Sequence, residues 1–206
     1  MARPTNFDRS YVLQQAIKLF WLQGYSNTSI KNLVAVTGLQ PGSLYAAFGD
    51  KRGLFIEALD VYFEAMKHHL CMVLHNDKPP IERLTDFFNQ LVQESDCDPE
   101  RKGCLLINTL SEIPVNDVEI NTRLQDMFAE VELELKQLLS EAKSLGHSGA
   151  HQNPETLAKF LVTGIFGLRI YNKTQPDSAI LEAIVKHLLY SVQIKEPQIY
   201  YSDCNK

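Results

Sequence analysis

Apolar residues recur at spacings of three and four from one end of the chain to the other, while the strict alternation that a half-buried strand requires is almost absent. The pattern predicts an all-α protein of about nine helices. A first helix over residues 8–23 collects Val12, Leu13, Ala16, Ile17, Phe20 and Trp21 on one face and stops at Gly24. A second runs from about Thr28 to Thr37, with Thr28 or Ser29 able to cap its free amides and Gly38 to end it. Pro41, which the first helical turn tolerates, opens a short third helix through Ala47. After Gly49 and Asp50 a long fourth helix carries Leu54, Phe55, Ala58, Leu59, Tyr62, Phe63 and Met66 and runs on toward Leu74.

Breaks rich in Pro, Gly, Asn or Asp at Asp77–Pro80, Asp96–Gly103, Ile113–Asp117, Ser144–Pro154 and Lys173–Asp177 mark out five more helices. Val131, Leu133 and Leu135 alternate as in a strand. The longer series Leu124, Met127, Phe128, Val131, Leu135, Leu138, Leu139 and Ala142 keeps the helical period, and length decides for helix. The last two helices, about Asn153–Asn172 and Pro176–Gln193, are apolar over more than one face. A monomer buries one face of each, so the surplus predicts a homodimer joined through these two helices.

Composition narrows the class. The hydrophobic share of 45% supports a continuous core, and no repeat or low-complexity tract points to a fibre or solenoid. No apolar run reaches the length of a membrane span and no secretory h-region precedes the first helix, so no membrane partner is expected. Cys71, Cys97, Cys104 and Cys204 form no CxxC pair and are read as reduced thiols in a cytoplasmic protein. The net charge of −5 conceals an asymmetry: residues 1–52 hold six basic groups against two acidic ones, and the remainder holds 14 against 23. A basic head on an acidic body draws phosphates to one end of the molecule. This sets the expected division at 1–52 for the head and 53–206 for an effector-binding and dimerisation bundle.

Helix, glycine turn and short helix within a basic segment form the arrangement that helix-turn-helix DNA binding needs, because the major groove admits one helix and a second must brace it. The residues go further. An amphipathic first helix ending in Gly24-Tyr25 is followed by Thr28-Ser29-Ile30, Val36-Thr37-Gly38-Leu39, Pro41-Gly42-Ser43-Leu44-Tyr45, and then Phe48, Lys51, Leu54 and Phe55. Over residues 7–59 the chain thereby resembles the DNA-binding head of the tetracycline-repressor (TetR) family of bacterial transcriptional regulators. The helical remainder has the length and order of that family's regulatory bundle.

The resemblance implies a double-stranded DNA partner, a pseudo-palindromic operator, and roles for named residues. Thr28 or Ser29 and the amides of the second helix would meet a phosphate, with Lys31 one turn on. Gln40 and Ser43 would reach base edges, Pro41 and Leu44 would touch thymine methyl groups, and Gly42 would let the backbone approach. For Leu44 and Phe48 the competing expectation is a place in the three-helix core. Tyr45 and Lys51 would bind phosphate. Many family members carry histidine or an aromatic just before the phenylalanine; Ala46-Ala47-Phe48 here removes that phosphate contact.

In such proteins a small-molecule effector enters the bundle and tilts the fourth helix, changing the separation of the two heads. Phe63, Met66, Phe87, Phe88, Leu91, Asn108 and Phe128 are the expected pocket residues, each also suited to ordinary core packing. Cys104 follows Arg101-Lys102-Gly103 at the start of a helix, where two cations would favour thiolate and electrophile or redox sensing; a buried, inert thiol is the alternative. His68, Cys71 and His75 share one side of the fourth helix but lack a fourth ligand nearby in sequence, so no metal site and no cofactor is assigned. Glu130, Glu132 and Glu134 read as a solvated helix face. With no phosphate loop, nucleophile elbow or HExxH, catalysis is not expected. The expected function is therefore a repressor released by a small-molecule or electrophile effector. A ligand-dependent activator and a helical dimeric scaffold without DNA binding are the alternatives.

Overall fold

The computed structural model describes residues 7–146 and 153–192. Among these, every regular element is helical: α1 (Arg9–Gln23), α2 (Ile30–Thr37), α3 (Pro41–Phe48), α4 (Lys51–Leu74), α5 (Pro80–Asp96), α6 (Leu105–Glu112), α7 (Val118–Ser144), α8 (Pro154–Tyr171) and α9 (Ser178–Ser191), with a 3-10 turn at Asn172–Thr174. The punctuation seen in the sequence does the terminating. Asp8 accepts from the Tyr11 amide at the start of α1, and Gly24, at φ 79°, ends that helix. Ser29 and Asn32 form a reciprocal capping box on α2, which stops at the left-handed Gly38. No helix among the described residues is long and apolar enough to cross a membrane.

The chain forms two compact units, and their boundary is not a single cut near residue 52. One unit runs to Ala65 and includes Cys104–Thr122; the other comprises Met66–Gly103 and the chain from Arg123 onward. The reason lies in the side chains of the first half of α4. Leu54, Phe55, Ala58 and Leu59 are buried. The Phe55 ring meets Phe20 of α1 edge-on at 4.8 Å and lies 4.6 Å from Tyr25, while Tyr62 meets Trp21 at 5.0 Å. A three-helix head alone would leave these aromatic faces in water.

In the first unit α1 packs on α2 and α6, and α2 on α3. Val12, Ala16, Phe20, Leu33, Leu44 and Phe55 form its center. In the second, α9 packs on α5 and α8, with Leu181, Val185 and Leu189 buried along α9 and Leu157, Leu161 and Leu168 along α8. Arg83 is buried in that unit and donates to the Leu74 carbonyl at 2.7 Å and to Glu141. Arg101 donates to the Asn172 side chain at 2.7 Å, fixing the loop before α6 to the turn after α8.

Cys71 and Cys104 are free thiols. Cys204 lies outside the described residues.

Candidate nucleic-acid interface

The turn between α2 and α3 is short because Gly38 adopts φ 72°, ψ 0°, a left-handed conformation that costs a residue with a Cβ. Gln40 then stands at the N-cap of α3 with extended backbone and no capping bond from its side chain, and Pro41 occupies the first turn. The amide and carboxamide of Gln40 are thus not consumed by the helix. Gln40, Pro41, Gly42 and Tyr45 are exposed and Ser43 is half-buried, so α3 presents one polar face outward. Its other face supplies Leu44, fully buried, and Phe48 to the core. Of the two expectations for Leu44, the structure realises the packing one, which removes its methyl groups from a base-contacting role.

At α2 the two proposed phosphate ligands separate. Thr28 is buried and its hydroxyl donates to the Gly24 carbonyl at 2.6 Å. Ser29 and Lys31 are exposed. Lys51 is half-buried, donates to the carbonyls of Tyr25 (2.9 Å) and Thr28 (3.0 Å), and lies 4.2 Å over the Tyr25 ring. Its ammonium therefore secures the α1–α2 loop, with one of its three donors left over.

The charge balance also changes in three dimensions. Counted over the compact unit that carries the turn, six basic groups face eight acidic ones. Arg9 pairs with Glu57 and lies 4.3 Å over the Phe48 ring. Arg52 makes a two-pronged contact with Asp117 at 2.6 and 2.8 Å and reaches Glu119 at 2.9 Å. The Arg52 guanidinium holds the Asp117 carboxyl below its ordinary range. These cations are engaged in ion pairs within the unit. Lys18 and Lys31 are exposed.

Sequence reasoning missed Glu112, the last residue of α6. Its carboxylate accepts from the backbone amides of Tyr25 (2.9 Å) and Ser26 (2.6 Å), clamping the loop that launches α2. Burial raises its pKa, but the hydrogen bonds from Ser26 and Tyr25 and the charge of Lys51 outweigh that and hold it below the ordinary value. An acidic residue far along the chain carries no local signal of such a role.

The expected pocket residues do not converge within one unit. Phe63 and Asn108 belong to the first, and Met66, Phe87, Phe88, Leu91 and Phe128 to the second. Phe63, Phe87, Phe88 and Leu91 are buried core residues. Phe87 and Phe88 meet edge-on at 5.4 Å, and Phe128 packs on Phe166 at 4.6 Å. Leu91 also lines a crevice of about 10 Å³ with Val92, Ser95, Leu168, Arg169 and Leu181, room for about one water. Cys104 is buried at the N-cap of α6, and its sulfur accepts from the Tyr62 hydroxyl at 3.7 Å. The cations expected to activate it are engaged elsewhere: Lys102 with Asp98 and Glu100, Arg101 with the Ser95 carbonyl and Asn172.

A glycine-turned helix pair with a polar outer face on its second helix defines a helix-turn-helix DNA-binding protein. Residues 12–58 match the model of the bacterial regulatory proteins of the tetR family, and residues 80–188 match that of the tetracyclin repressor-like C-terminal domain. The HTH-type transcriptional repressor ComR of Escherichia coli is 34% identical over 186 residues, 89% of this chain and 87% of that protein. The uncharacterized HTH-type regulator YezE of Bacillus subtilis is 30% identical over 86% of this chain and 92% of its own length. Among solved structures, a cysteine mutant of the TetR family regulator CifR, complexed with 26 bp of operator DNA, superposes with a TM-score of 0.81 at 29% identity, covering 93% of this chain and 100% of that one. The chain belongs to the TetR family of DNA-binding transcriptional regulators.

Proposed function

We propose that the protein is a repressor that binds a pseudo-palindromic operator as a homodimer in the cytoplasm and is released by a small-molecule effector. The observation that carries the DNA-reading part is the exposed polar face of α3, where Gln40, Ser43 and Tyr45 surround Gly42. The repressors ComR and DhaR are the relatives that support this direction of regulation, and CifR, complexed with operator DNA, supports the DNA partner. Gln40 and Ser43 read base edges, Pro41 touches a thymine methyl group, and Tyr45, Ser29, Lys31 and the third donor of Lys51 meet phosphates. Thr28 acts through the loop that it holds.

Dimerisation is supported by the apolar side chains that α8 and α9 leave exposed: Phe160, Ile170 and Tyr171 on one, Ile180 and Tyr190 on the other. Two heads then meet half-sites about 34–36 Å apart, one turn of duplex. The role is regulation, and no catalytic residue is assigned.

Binding to operator fragments selected from genomic DNA tests the reading, over a salt series. Gln40→Ala is expected to flatten base preference by about 1–3 kcal/mol at one position. Lys31→Ala is expected to weaken binding on all sequences and to reduce the salt slope by about 1. Equal losses on every sequence for both variants would sink the division of roles, and no duplex binding at low salt would sink the reading as a whole. Gly42→Ala separates reading from folding. A Cβ at Gly42 meets nothing within 4 Å in the protein, so helix stability should hold or rise slightly. Operator affinity should nevertheless fall, because the methyl group occupies the space of the approaching duplex; unchanged affinity would place α3 at some other angle.

A further inference from the structure

In the second unit, α4 and α7 bring together three ligand types that no DNA-binding role uses. Cys71 lies in the last turn of α4 and His75 directly follows that helix, its amide donating to the Cys71 carbonyl at 2.8 Å, which sets the two side chains one turn apart. Glu134 of α7 completes the group, so it is not part of a solvated face as its sequence neighbours suggest; only 17% of its side chain is exposed. The Cys71 sulfur, a His75 ring nitrogen and a Glu134 carboxylate oxygen all lie within 4.8 Å of one another. His75 Nε2 is 2.6 Å from Glu134 Oε2. His68, within α4, is exposed and outside the group.

We propose that Cys71, His75 and Glu134 form a divalent-cation site of the zinc class, with water in the fourth position. The donor set sets the class. Thiolate and imidazole select a borderline-soft ion over magnesium or calcium, and the carboxylate disfavours a purely soft monovalent one. Three protein ligands and one open position form a zinc geometry, and the half-exposed His75 leaves a path for the ion and its water. With metal–ligand distances of about 2.0–2.3 Å, tetrahedral donors sit about 3.3–3.7 Å apart. The His75–Glu134 pair must therefore open and the longest separation close by about 1 Å each, which side-chain rotation supplies.

On binding, the Cys71 thiol releases its proton to solvent, and sulfur, Nε2 and Oε2 each donate an electron pair to the ion. The bound ion would tie the last turns of α4 to the middle of α7. Nothing in the proposal depends on DNA binding.

The test is a titration of the reduced full-length protein with cobalt(II), followed by visible and near-ultraviolet absorption and back-competition with zinc. One equivalent is expected to give d–d bands of tetrahedral intensity with a thiolate-to-cobalt charge-transfer band, bleached by zinc. Cys71→Ser should abolish the charge-transfer band. His75→Ala, at an exposed position where the fold is retained, should weaken binding by at least ~10- to 100-fold, the range seen for losing even an outer-shell partner. Glu134→Gln should weaken binding while keeping the thiolate band. Circular dichroism of the metal-free variants checks folding. Absence of the band in the wild-type protein would overturn the site, as would its survival in Cys71→Ser or undiminished affinity in a folded His75→Ala.

Discussion

Gly53→Ala is expected to lower the unfolding midpoint sharply and to cost operator affinity at least tenfold. A Cβ built on Gly53 would stand 2.1 Å from the carbonyl oxygen of Phe48, a backbone atom that no side-chain rotation can move away. The contact exists because α3 and α4 are joined through Gly49 and Asp50 alone, with Gly49 at φ 80°. The Asp50 carboxylate reaches forward to accept from the Gly53 amide at 2.7 Å, capping the new helix and drawing its first turn against the end of α3. Inserting a methyl group must push the two helices apart. Overpacking typically costs about 1–3 kcal/mol, and a backbone partner puts this site at about 3 kcal/mol. Since Gln40, Ser43 and Tyr45 ride on α3, its displacement misaligns the reading face even in molecules that remain folded. Thermal melts and mobility shifts on Gly53→Ala check both effects; a wild-type melt would show that the corner is looser than its geometry implies.

Glu112→Ala should destabilise the DNA-binding unit by about 1–3 kcal/mol, because two backbone amides, of Tyr25 and Ser26, lose their charged acceptor together. Operator affinity should fall with it, although Glu112 lies 64 residues beyond Phe48 in the chain and touches no base in the proposed mode. The loop it clamps ends at Ser29, the cap of the bracing helix.

The same contact predicts a pH dependence. The carboxyl pKa is depressed below its ordinary 4.5 in the folded protein. Its contribution is therefore fully present above pH 4.5 and is lost as the pH falls through the lower folded-state value. Asp98 and Asp117 are depressed as well, so the wild-type acid transition is composite. The difference between wild type and Glu112→Gln isolates the single group. It should be constant above pH 5 and shrink toward zero on acidification, and a difference that grew instead would reverse the assigned sign.

Helix positions were legible because capping and termination are local events. Gly24, Ser29, Gly38, Pro41 and Asn153 act on their own backbone or that of residues two to four away, within the window a sequence pattern displays. The face of α3 was legible for the same reason, apart from Leu44, which fills the core. The ionic part was not. Arg9, Lys51 and Arg52 looked like a cationic patch when counted along residues 1–52, yet Arg9 and Arg52 are held by acids beyond that stretch, Glu57 and Asp117 with Glu119, and Lys51 gives two of its donors to the Tyr25 and Thr28 carbonyls. Side-chain ion pairs form across space, and a running count of charge contains no distances.

By itself, then, the order of residues determined an all-helical chain, its punctuation, and the helix-turn-helix element, since each depends on hydrogen bonds and apolar periodicity within a few turns. Tertiary structure alone decided three things. It split α4 between two compact units, it enlisted Glu112 to hold the loop before α2, and it set Glu134 beside Cys71 and His75. All three rest on groups that meet only after distant helices have packed, where partnership is governed by proximity and desolvation and not by position along the chain.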